Sequence, residues 1–144
     1  MTKFQNYFTK NLSEDLTNKN MNSTILLLVL FFCHFLADYT HLSTAWMLNA
    51  KRLGKPLFPI LAHAGVHALL MGVAMIVLGY NFDVVYKLVL FQLITHFAID
   101  VWKGRMNGWF TFLQSPANKG HWIVFGIDQY FHAIVIILMV QFAK

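Results

Sequence analysis

With 144 residues, 58% of them hydrophobic and 12% charged, the chain carries about half the charge of an average soluble domain. Its single cysteine, Cys33, excludes an intrachain disulfide and a thiolate metal cage. The net charge of +5 does not point to nucleic acid, because the basic residues fall in short stretches between apolar runs, where they set membrane orientation and meet anionic groups.

In chain order, residues 1–23 come first and are polar. Phe4, Phe8, Leu12 and Leu16 recur there at four-residue steps, so the segment reads as a tail or as a helix lying on the membrane surface. Residues 24–144 form one transmembrane domain. Its first apolar run starts near Thr24, behind the polar stretch and with no small-residue cleavage site after it, so it reads as a retained helix. Four spans follow, at about 24–42 (with room to continue to Leu48), 57–80, 83–102 and 121–143. Each is close to the ~20 residues needed to cross a bilayer. Backbone polar groups in lipid must be satisfied within each segment, so the spans are helices and the fold is an all-α, multi-pass bundle.

Within these spans, Cys33 reads as a small core residue. Pro56 and Pro59 suit the first turn of the second helix. Gly65, Gly72 and Gly79 recur every seven residues along it and fit close packing against a neighbouring helix or a second copy of the chain. Segment 103–120 reads as a long connection, either interfacial or a lid.

Four pairs of ionisable residues lie four apart inside the spans: His34/Asp38, His63/His67, His96/Asp100 and Asp128/His132. A four-residue step on a helix is about 6 Å of rise and about 40° of rotation, so each pair shares one face. Consecutive spans run in opposite directions, which brings all four pairs towards one side of the membrane. Trp46, Trp102, Trp109 and Trp122 fall near that side, as an interfacial belt would. The connections there carry Lys51, Arg52, Lys55, Lys103, Arg105 and Lys119 and no acid, which orients the site side to the cytoplasm. CHFLADYT (33–40) is similar to THFAIDVW (95–102), so the bundle reads as two repeated helical hairpins.

A purely structural role does not explain the pairs. An aspartate at a bilayer centre costs roughly 2.5–3.5 kcal/mol, whereas an i,i+4 pair returns only about 0.3–0.5 kcal/mol. A divalent ion would neutralise the acids and satisfy the imidazoles together. His34, Asp38, His63, His67, His96, Asp100, Asp128 and His132 are therefore candidate ligands for one or two ions, Zn²⁺ first, with Mn²⁺ or Fe²⁺ as alternatives. Such an ion acidifies a water, and an uncoordinated Asp38, Asp100 or Asp128 is the candidate general base. Lys51, Arg52, Lys103 and Arg105 are the candidate contacts for an anionic substrate such as a lipid headgroup ester. His41 and His121 read as headgroup-level residues, and Thr95 and Gln129 as neighbours of the site.

HFLADYTHLSTAWM (34–47), LAHAGVHALL (61–70), HFAIDVWKGR (96–105) and DQYFH (128–132) resemble a family of small bacterial and phage membrane proteins of unknown function. Its pattern runs HFxxDxxxQxxxM, a histidine-bearing second helix, HxxxDxxK and a late DQxxH. The resemblance implies a multi-pass helical protein of the bacterial inner membrane. It brings His34, Asp38, Met47, His63, His96, Asp100, Lys103, Asp128, Gln129 and His132 into the motif. Around the pattern's Gln this chain has Ser43 and Thr44. The chain is also distantly similar to membrane-bound metal-dependent hydrolases.

The leading expectation is a metal-dependent hydrolase of a lipid or another amphipathic anion. The alternatives are an ion or proton translocator using the same residues, and a membrane subunit with a structural site. The expected partners are the bilayer and, through the glycine stripe, a second copy of the chain.

Overall fold

The computed structural model describes residues 3–143, with side chains from Met21 onward. The elements are α1 (Lys3–Tyr39), α2 (Ala45–Leu53), α3 (Leu57–Val77), α4 (Phe82–Trp109), a 3₁₀ turn (Thr111–Gln114) and α5 (Lys119–Phe142). Among the described residues there is no strand. Among the described residues, four helical segments are long and apolar enough to cross a membrane: Met21–Tyr39, Leu57–Val77, Phe82–Trp109 and Lys119–Phe142. The face formed by Phe4, Phe8, Leu12 and Leu16 concerns side chains outside the described residues.

Two boundaries differ from expectation. The first span stops at Tyr39, short of residues 42 and 48, because hydroxyl side chains compete for its last carbonyls. Thr40 Oγ1 donates to Leu36 O at 2.5 Å and Ser43 Oγ to Ala37 O at 2.6 Å. Thr44 then caps a separate short helix, α2, by accepting from Met47 N. Gly54, at φ 65°, ends α2 in the left-handed conformation that glycine adopts without strain. The third span runs seven residues past its expected end, so that Lys103 and Arg105 are helical and the connection begins only after Trp109. Gly104 does not break α4. It lets α2 come close, since a Cβ there would collide with Gly54 N, Gly54 Cα and Lys51 O.

The four long helices form a ring in chain order. Helix α1 packs on α3, α3 on α4, α4 on α5, and α5 closes on α1, while α2 lies against α3 and α4. The far half of the interior is apolar, with Leu26, Leu30, Met71, Met75, Leu88, Ile136 and Met139 at its centre. Cys33 is a buried core residue there, as expected. The outer surface is also apolar: Phe32, Leu69, Val77 and Tyr130 all point outward and exposed. A bundle hydrophobic inside and outside is what lipid requires.

The glycine stripe divides into three different situations. Gly72 lies against Val89 of α4, so that close approach is internal. Gly79 lies beyond the end of α3, at φ 82°, and serves the turn into α4. Gly65 faces open space.

Candidate metal centre

The four-residue steps place the ionisable residues in two layers. The deeper layer holds four imidazoles, one from each long helix: His34 (α1), His67 (α3), His96 (α4) and His132 (α5). Their ring centroids follow the helices round in order, at 4.8 Å (His34–His67), 3.8 Å (His67–His96), 4.2 Å (His96–His132) and 5.1 Å (His132–His34). The shallower layer holds Asp38, His63, Asp100 and Asp128 at the corresponding positions one turn nearer the surface. Asp100 and Asp128 are 0% exposed, as are His63, His67 and His96.

All five imidazoles turn Nε2 towards the carboxylates. His34 Nε2 is 3.4 Å from Asp38 Oδ2, and His67 Nε2 is 3.5 Å from Asp38 Oδ1. His96 Nε2 is 3.4 Å from Asp100 Oδ2, and His63 Nε2 is 3.6 Å from the same oxygen. His132 Nε2 is 3.5 Å from both Asp100 Oδ1 and Asp128 Oδ1. These contacts are long and poorly aligned for hydrogen bonds. Only His63 approaches more closely, with Nε2 3.1 Å from Asp38 Oδ1. Both ring nitrogens of His34, His67 and His132, and Nε2 of His96, are buried without a hydrogen-bond partner. Four sets of three donors lie within 4.8 Å of one another: His34/His67/His96, Asp38/His63/His67, His63/His96/Asp100 and Asp100/Asp128/His132. Each could hold a metal ion.

Lys51 occupies an unexpected position. The sequence put it on the basic rim, but the side chain is inside the shallower layer and Lys51 is 8% exposed. Its Nζ lies 3.0 Å from Asp38 Oδ1, 3.1 Å from Asp100 Oδ1 and 3.1 Å from His63 Nε2. The Asp100 contact is an ion pair set off the hydrogen-bond direction. Burial opposes the charge on Lys51, but the Asp100 and Asp38 carboxylates outweigh it and hold the ammonium above the ordinary lysine range. Lys103 Nζ lies 2.8 Å from Asp128 Oδ2. Gln129 Nε2 donates to the same carboxylate oxygen at 3.2 Å.

Above the shallower layer, a cavity of about 240 Å³ is lined by Asp38, Lys51, Arg52, Lys103, His121 and Gln129, among others. Asp38 and Lys51 therefore belong to both cavity and cluster. Arg105 is exposed and does not line this cavity. His41 is exposed. His121 is tied by Nδ1 to Leu113 O at 2.7 Å, and Thr95 bonds back to Phe91 O.

Sequence reasoning missed three polar supports. Ser43 Oγ lies 3.1 Å from His63 Nδ1. Gln92, 1% exposed, lies 3.4 Å from His96 Nδ1. Buried Asn107 ties α4 to α2 through Arg52 O at 3.4 Å. Gln92 was findable, because it continues the four-residue step Gln92, His96, Asp100. Ser43 and Asn107 carry no comparable spacing signal.

The fold and the site together define an all-α bundle with four membrane-length helices and a buried His/Asp cluster near one end. The chain belongs to the protein family of unknown function DUF3307, whose model matches residues 26–144. No curated protein and no solved structure matches it.

Proposed function

We propose that the cluster is the metal centre of a membrane-embedded hydrolase, and that the basic cavity above it receives the anionic headgroup of a lipid or another amphipathic ester. One observation carries this reading: five Nε2 atoms converge on three carboxylates at separations of 3.4–3.6 Å. A tetrahedral ion with ligand bonds of about 2.0–2.1 Å spaces its ligand atoms by roughly 3.3–3.4 Å. The donors thus stand at the spacing of ligands sharing one ion. The nitrogen-rich set suits Zn²⁺ first, then Mn²⁺ or Fe²⁺, and not Mg²⁺ or Ca²⁺, which take oxygen ligands.

A bound divalent ion would polarise the ester and acidify a water. The remaining work falls to the chain itself. Asp38 reaches from the cluster into the cavity and is the best-placed proton acceptor. Arg52 and Lys103 offer positive charge to the headgroup, and Tyr39, Leu48 and Phe125 give the same cavity apolar wall. Asp100 and Asp128, wholly buried, hold imidazoles and lysines in place rather than meeting substrate. Arg105 serves lipid contact and orientation, with the site side in the cytoplasm.

Translocation would need a polar route to the opposite side. Beyond His34, His67 and His132 the same helix faces carry Leu30, Met71 and Ile136, all 0% exposed, and then Leu26 and Met75. Gln92 is the polar residue among these positions. A one-sided reaction centre fits that interior better.

Elemental analysis of the detergent-purified protein tests the reading, with Asp38→Asn/His96→Ala as control. Bound Zn, Mn or Fe that the control loses, followed by metal-dependent cleavage of a lipid phosphate or ester, is the expected result. Absence of metal after reconstitution with each ion would sink the proposal. Metal without turnover on any such substrate would leave a structural site.

A further inference from the structure

We infer that Lys51 is a built-in second cation: its ammonium fills the Asp38–His63–Asp100 position, so the cluster binds one divalent ion, on its histidine side, rather than two. The inference rests on the reading that the cluster binds metal at all.

Geometry carries it first. Three acceptor atoms from three helices surround Nζ at nearly one distance: Asp38 Oδ1 of α1 at 3.0 Å, His63 Nε2 of α3 at 3.1 Å and Asp100 Oδ1 of α4 at 3.1 Å. The ammonium, which has donors and no acceptor, hydrogen-bonds to Asp38 and His63 and meets Asp100 as an ion pair. The imidazole tautomer agrees. Ser43 Oγ donates to Ala37 O, so its lone pairs face His63 Nδ1 and receive that N–H. His63 Nε2 is then left as a lone pair aimed at Lys51, and its 3.1 Å approach to Asp38 Oδ1 brings together two acceptors that share the one ammonium, as they would share a metal.

Position is enforced by backbone. Helix α2 carries Lys51 and meets α4 through two glycines, Gly54 and Gly104, where neither position has room for a Cβ. Asn107 ties the same two helices through Arg52 O. Lys51 is therefore set in place from a fixed joint, unlike a surface lysine free to swing away.

Charge gives the same count. Three carboxylates face two ammoniums, Lys51 and Lys103, which leaves one negative charge; one divalent ion already exceeds it by one, and a second would leave an excess of three. A second ion in the shallower layer would sit against the Lys51 ammonium, and like charges at such range strongly oppose each other. The deeper imidazoles of His34, His67 and His96 form a donor set without Lys51 among their partners.

Metal stoichiometry tests this. The wild-type protein and Lys51→Met, which keeps much of the side-chain stem, are purified in detergent, loaded with Zn²⁺ and assayed by elemental analysis and calorimetric titration. The expected result is one equivalent in the wild type and two in Lys51→Met. The added equivalent should disappear in Lys51→Met/His63→Ala while the first remains. Two equivalents in the wild type would overturn the inference and leave the metal centre standing, whether or not the variant folds. One equivalent in both proteins would also overturn it. No metal in the wild type with one in Lys51→Met would support the role of Lys51 as occupant while refuting the resident metal centre. No metal in either would refute both.

Discussion

The two halves of the bundle are built on the same helices at the same spacing, and they differ in what occupies the inward positions. Stepping down one face of each long helix, Asp38 and His34 give way to Leu30 and Leu26; His63 and His67 to Met71 and Met75; Asp128 and His132 to Ile136 and Val140; and, on α4, Asp100 and His96 to Gln92 and then Leu88. The far half is filled by dispersion contacts among apolar side chains. The near half buries two acids, five imidazoles and a lysine, with Asp38 half-buried beside them, where Leu and Met would pack without desolvation cost. Stability alone accounts for the far half. The near half is the one whose His and Asp groups could hold a metal ion.

The largest expected effect is in the near half. Asp100→Asn leaves the Lys51 ammonium with one carboxylate fewer and should cost about 3–5 kcal/mol, as breaking a buried pair does. Asp100 would no longer hold His96 and His132 in place, so metal affinity and turnover should fall while circular dichroism still reports the helices. Full metal retention would break the comparison. In the far half, Met71→Ala should cost about 2–5 kcal/mol through the cavity it opens, read as a lowered midpoint of thermal unfolding. Its metal content should be unchanged; equal metal loss in both variants would show that the two halves are not separable.

Smaller effects sharpen the picture. Gly104→Ala should destabilise by about 1–3 kcal/mol, because α2 must move to admit the methyl group. A neutral result in thermal unfolding would mean that α2 is not fixed as described. Ser43→Ala should cost about 1 kcal/mol through the hydrogen bond to His63. Arg105→Ala, remote from the cavity, should stay within roughly 0.5 kcal/mol of the wild type and keep its metal.

Much of this was legible in the sequence because helical period and alternating span direction are enough to bring His34, Asp38, His63, His67, His96, Asp100, Asp128 and His132 together. Apolar length gave the four spans. The failures share a cause: they depend on where short polar segments lie in three dimensions. The break at Thr40–Thr44 hangs on hydroxyls choosing carbonyls over the continuing helix. The burial of Lys51 hangs on a glycine-to-glycine approach between α2 and α4, which no period reveals. Gly65, Gly72 and Gly79 looked like one stripe, yet one packs, one turns and one faces open space, because the helix ends at Val77 before the repeat is complete.

The pairing of lysines with aspartates bears on how such a chain enters a bilayer. Asp38 and Lys51 both belong to the first helical hairpin, and Lys103 and Asp128 both belong to the second. Each hairpin can therefore leave the insertion machinery with one acid already opposite one base. Of these lysine–aspartate contacts among the described residues, Lys51–Asp100 is the one that joins the two hairpins, so it can form only once both are in the membrane. Asp100, with no exposed surface, thus gains its lysine last, and that contact marks the completion of assembly.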